Sequence, residues 1–158
     1  MKRILLSAAI AIAAIAATSP AHANKADKPG NCMIYAQEAA KTAKADPRIT
    51  GADEDKVVAA FEAFARGQEA AYEEGLPAQI EYAKAFGYTE ERLRAETEAA
   101  SELIRKGFVG QTMEPGKLYT DHLLVLMNCG QRAKTAEHLG QSPEAFSAAL
   151  DTAYLAVK

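Results

Sequence analysis

The chain has 158 residues, of which 18 are basic and 21 acidic, a formal net charge of −3, and two cysteines. That length fits about one domain, long enough to bury a core without relying on disulfides. The acidic balance argues against nucleic acid or an anionic membrane surface as a partner.

Residues 1–23 read as a cleavable secretory signal peptide. Lys2 and Arg3 open it, an apolar run from Ile4 to Ala17 is broken only by Ser7, and Ala21-His22-Ala23 makes a small-x-small exit. The run is shorter than the ~20 residues of a spanning helix, so no membrane anchor is expected in the mature form. No cysteine stands directly after the cut and no twin-arginine pair precedes it, so neither lipidation nor export in the folded state is indicated. Cleavage after Ala23 leaves 135 residues with 16 basic and 21 acidic groups, a net charge of −5, bound for the periplasm or the exterior.

Residues 24–30 (NKADKPG) are polar with Pro and Gly and read as a flexible leader before a single helical domain, 31–158. The first predicted helix spans 31–45, capped by Asn31 and ended by Pro47. The second spans 53–74, with Asp53 as cap and Val57, Phe61, Phe64 and Tyr72 as the inward stripe. Gly67 within it costs ~1 kcal/mol relative to Ala, unless another helix packs closely there. Gly75-Leu76-Pro77 reads as a stop and restart, giving a short third helix over 77–86.

Thr89 caps a fourth, largely polar helix over 90–106, expected on the surface. A loop over 107–116 leads to a fifth helix over 117–139. Its segment His122 to Met127 is apolar nearly all round and marks a buried element; Gly130 is a candidate kink. Ser142 caps and Pro143 starts a sixth helix whose inner face holds Phe146, Leu150, Ala153 and Val157.

Phe86-Gly87-Tyr88-Thr89 and Leu139-Gly140-Gln141-Ser142 each read as a helix end, a glycine stop and a hydroxyl cap. Their spacing also matches helix-turn-helix units. The helix after the first turn starts Glu90-Glu91, which would repel phosphates, so DNA binding is not expected.

In an oxidising compartment Cys32 and Cys129 read as one disulfide. His122 lies seven residues before Cys129 and faces the same way. It reads as a hydrogen-bonded core histidine; the rival reading makes it a haem or metal ligand, with Met127, Met33 and His138 as the other candidates. The acids between Asp46 and Asp55 lack the alternating oxygen ligands of an EF-hand, with Arg48 and Thr50 where ligands belong; they read as a helix start. Phe108, Val109 and Met113, in a glycine-flanked loop, are a candidate partner-binding tip, against the plainer reading that they anchor the loop to the core. No nucleophile-elbow or metalloprotease motif is present, and nothing points to an enzyme.

The expected fold is therefore all-α: five to six helices in a compact antiparallel bundle stapled by one disulfide. The layout resembles small disulfide-bonded helical proteins of the bacterial periplasm, such as acid-stress chaperones and toxin-immunity proteins. That resemblance is confined to export, size, helicity and one disulfide, and no residue roles transfer with it. The leading function is a non-catalytic interaction protein without a cofactor, its partner another protein. The alternative is a haem- or metal-binding bundle using His122 with a methionine.

Overall fold

The computed structural model describes residues 29–108 and 113–158. The signal-peptide segment 1–23, the first part of the leader (24–28) and Val109 lie outside the described residues. The elements are α1 Pro29–Ala45, α2 Ala52–Ala85, α3 Glu90–Phe108, α4 Thr120–Gln131, the single turn α5 Ala136–Leu139, and α6 Pro143–Val157. There is no strand among the described residues.

The core begins with alanine. Ala36, Ala39, Ala40 and Ala43 on α1 are buried, as are Val57, Phe61 and Phe64 on α2. Small side chains on one helix leave room for large ones on its neighbour, and these two helices form the most extensive pair. The Phe64 ring packs on Phe146 of α6 with centroids 4.6 Å apart. Cys32 of α1 and Cys129 of α4 are bonded across this core, with Cα atoms 5.8 Å apart and a sequence separation of 97.

Gly67 shows why a helix-weakening residue sits mid-helix. A Cβ there would collide with the backbone of Glu137, His138 and Gly140, and a Cβ on Gly140 would collide with the Ala63 carbonyl. Gly140 also has φ +66°, the left-handed region that glycine enters without steric cost. The two glycines form a reciprocal notch through which α2 and the α5–α6 corner meet backbone to backbone. Gln68 closes it by donating to the His138 carbonyl at 2.8 Å.

Several boundaries differ from the sequence expectation. α1 starts at Pro29 rather than Asn31, since proline lacks only an N–H that a first turn leaves unpaired anyway. Its Gly30 sits where a side chain would press on the Tyr72 ring. Gly51, not Asp53, precedes α2, and Asp53, Glu54 and Asp55 fill the first turn, where acidic groups suit the helix dipole.

α2 runs unbroken through Gly75-Leu76-Pro77, merging two predicted helices. Pro77 cannot donate to the Glu73 carbonyl, but both residues are exposed, so water can bond that carbonyl. The strong helix formers after Pro77 sustain the run.

The predicted helix 117–139 is in fact α4 and α5, separated at Arg132 to Thr135. The N–H groups of Arg132 and Ala133 close tight turns on the Cys129 and Gly130 carbonyls, and Thr135 caps α5 by accepting from His138 N–H. Gly130 is no kink; a Cβ there would strike the Phe146 ring. Nor is His122 to Met127 buried all round, since Leu124 is 52% exposed. Thr89 and Ser142 cap α3 and α6 as expected, each oxygen accepting at 3.2 Å.

An ion pair between buried Asp46 and the partly exposed Arg48, which the sequence did not announce, joins three parts of the chain. Both Asp46 carboxylate oxygens accept from the Arg48 guanidinium, at 2.7 and 3.0 Å. They also accept from Arg48 N–H at 3.0 Å and Leu118 N–H at 2.8 Å. Arg48 in turn donates to the Leu118 carbonyl at 2.6 Å and the Val157 carbonyl at 3.2 Å. The α1–α2 turn, the approach to α4 and the end of α6 thus meet at one carboxylate. Burial alone would raise the Asp46 carboxyl; the Arg48 and Leu118 hydrogen bonds and the Arg48 charge hold it below its ordinary value.

Beyond Gln68 no residue of α2 is buried, and α3 buries only Ala100, Ser101 and Phe108. The second half of α2 and the first half of α3 therefore form a hairpin arm, turned at Gly87 (φ +80°).

Candidate functional site: a buried histidine and an open groove

His122 is 2% exposed. Its Nδ1 accepts from Tyr119 N–H at 3.2 Å, in the position a Glu or Gln takes in a capping box. Its Nε2 lies 2.8 Å from the Phe108 carbonyl. An N–H must face a carbonyl and a lone pair must face an N–H, so the neutral ring carries its proton on Nε2. The Phe108 ring stacks on the imidazole at 4.1 Å, and Tyr35 packs on Phe108 at 4.8 Å. Burial lowers the imidazole pKa, outweighing the Phe108 carbonyl and Asp121, which pull the other way.

Both ring nitrogens are engaged with backbone, so His122 offers no free lone pair to a metal or haem iron. The other candidate ligands lie elsewhere. His138 faces Glu74 at 3.0 Å, Met127 is half-exposed on α4, and Met33 lines the groove beside α1. Among the described residues no three His, Cys, Asp or Glu side chains cluster as metal ligands.

The loop candidates also separate. Phe108 is not a loop residue but the end of α3, and at 3% exposure it is an anchor rather than a tip for a partner. Met113 is half-buried.

An open site lies where the arm leaves the core. A groove of about 890 Å³ is bounded by the start of α1, the outer half of α2, Tyr88 and α3. Its apolar lining includes Met33 and Ile34 of α1, Tyr72 and Tyr82 of α2, Phe86 just after it, and Leu93 of α3. Tyr82 and Phe86 are 63% and 60% exposed, and their rings meet at 4.9 Å. The charged groups of the lining all come from α3: Arg94, Glu98 and Arg105.

Arg94 is tied twice to Glu90, at 2.9 and 3.1 Å. Arg105 is held more loosely, at 3.2 Å from Glu98 and 3.7 Å from Glu102, both exposed. On another face of α2 a smaller cleft of about 350 Å³ has the opposite character, with Glu73, Glu81 and Glu90 against one cation, Lys84.

No known protein family, curated protein or solved structure matches the chain.

Sequence reasoning missed the groove because its walls come from three separate segments and no motif spans them. One signal was present: Tyr82, Phe86 and Leu93 flank the Gly87 turn, more apolar bulk than a solvated helix end needs. Among the described residues no helix is long and apolar enough to cross a membrane.

Proposed function

We propose that the protein is exported by its N-terminal segment to the periplasm or beyond, and there serves as a non-catalytic binding protein. The groove between α1, α2 and α3 is its binding face. The observation that carries this reading is the groove itself: an open, aromatic-lined concavity of a volume typical of ligand sites, with two large rings left in water. The Cys32–Cys129 bond suits an oxidising compartment. A non-catalytic role is supported by the engagement of His122 with backbone at both nitrogens. The sequence alone favoured a protein partner; the groove could take a small ligand whole or one face of a polypeptide segment.

A neutral environment-sensitive dye, N-phenyl-1-naphthylamine, tests the groove. Its emission should rise and shift to the blue with the processed protein. The double substitution Tyr82→Ser, Phe86→Asp should abolish the change while leaving the melting transition in place, since both side chains are exposed. Dye binding that ignores the double substitution, or none at all, would refute the groove as the binding face.

A further inference from the structure

Resting on the groove as binding face, we infer that its occupant is a single-chain anionic amphiphile, a free long-chain carboxylate, with its head at Arg105 and its tail along Tyr72, Tyr82 and Phe86. Size, charge and polarity gradient argue for this together. At 1.5 Å per residue, α2 from Tyr72 to Phe86 covers about 21 Å, the span of an extended long acyl chain. A volume of about 890 Å³ lies within the range of small-molecule sites and is too small to enclose a helix of that length.

The charged side chains of the lining are two arginines and one glutamate, and Glu90 and Glu102 outside the lining also pair with those arginines. The smaller cleft on α2 has three glutamates against one lysine. An anion in the groove therefore meets two guanidinium groups that can exchange partners, whereas the other cleft offers it chiefly glutamates.

The two arginines are not equivalent. Arg94 already makes two short bonds to one carboxylate, whereas Arg105 is held at 3.2 and 3.7 Å by glutamates that water also solvates. A ligand carboxylate can replace those contacts with a paired, fork-like interaction. α3 leaves the Gly87 turn and ends with Phe108 packed on Tyr35 of α1, so Arg105, near that end, lies far along α3 from the exposed Tyr82–Phe86 pair. The polar head and the apolar tail thus have separate places.

The test is competition for the bound naphthylamine dye by palmitate, kept below its aggregation concentration, and by methyl palmitate, which keeps the tail and loses the charge. Palmitate should displace the dye at about tenfold lower concentration than the ester, the advantage of one charge-assisted pair. Arg105→Gln should bring the two within about twofold; Arg94→Gln should leave the palmitate advantage intact.

Equal competition by acid and ester in the native chain would overturn the inference and spare the binding face. A palmitate advantage that survives Arg105→Gln would overturn the assignment of the head. Failure of the dye itself to bind would remove both. Cosedimentation with anionic vesicles, an amphipathic helical peptide displacing dye, or a dimer dissolved by Phe86→Asp, each without palmitate competition, would identify a membrane, a polypeptide or a second copy as occupant and overturn the inference.

Discussion

Replacing a glycine inside a helix by alanine ordinarily stabilises it by up to ~1 kcal/mol. α2 contains two such glycines, and the structure predicts opposite outcomes for them. At Gly75 an added Cβ would meet only the end of the Gln79 side chain, at 3.5 Å, an ordinary contact. Gly75→Ala should therefore gain roughly 0.5–1 kcal/mol. At Gly67 the same Cβ would overlap three backbone atoms of the α5–α6 corner, none of which can swing aside as a side-chain tip could.

Forcing that corner outward costs about 1–3 kcal/mol of overpacking, and three obstructing backbone atoms place this case near the upper end. Subtracting the propensity gain leaves a net loss of about 1–2 kcal/mol. For a domain of this size that is a fall of about 3–10 °C in Tm, while Gly75→Ala should rise by about 2–5 °C. Thermal unfolding followed by circular dichroism of both variants decides the matter. A Gly67→Ala protein as stable as Gly75→Ala would refute the notch and the packing of α2 on the α5–α6 corner.

Removing the disulfide by Cys32→Ser should cost about 2–5 kcal/mol, as expected for a bond closing a loop of 97 residues; urea midpoints of oxidised and variant protein measure it. His122→Leu should leave the Tyr119 N–H and the Phe108 carbonyl without a partner and cost about 1–3 kcal/mol for each group that stays buried, with His122→Gln losing less. Because burial lowers the folded-state pKa of His122, the unfolded chain binds the proton more readily. Stability should thus fall as pH drops below the unfolded value of ~6.5, and His122→Gln should flatten that slope in pH-dependent urea titrations. Haemin titration should give no sharp Soret band at one equivalent; a band lost in His122→Gln would restore the ligand role of that residue.

Much of the fold was legible because its signals are local. Thr89, Ser142 and Pro143 set helix starts through atoms within one turn, and the cysteine pair admitted one bond. The misreadings arise where local rules meet solvent or distant chain. Gly75-Leu76-Pro77 carries a stop signal, yet at an exposed position water can take the bond that Pro77 gives up. Leu124 and Met127 have a core residue's chemistry and a surface residue's location, which no periodicity in a continuous apolar run can separate.

Asp46 was read with the acids that follow it as a helix start. Asp-Pro-Arg, however, is also a turn in which an aspartate accepts from the N–H two residues on, as it does here; Leu118 and Val157, the rest of that constellation, are far away in sequence. The burial of His122 followed from its register with Cys129. The groove is a product of how α3 leaves the bundle, which no stretch of sequence encodes by itself.

The continuity of α2 has a consequence for hydrogen exchange. Its first half carries Val57, Phe61 and Phe64 in the core, while its second half buries nothing and contains Pro77, where one link of the amide ladder is absent. Amide protection along a single helix should therefore decline from near-global at Phe64 to local opening near Tyr82, with the start of α3 exchanging alongside it. Lys84, Arg92 and Arg94 then mark the places where trypsin would nick the arm. Any molecule that settles between the arm and α1 must slow exchange and cleavage there, so the arm reports its own occupancy without a label.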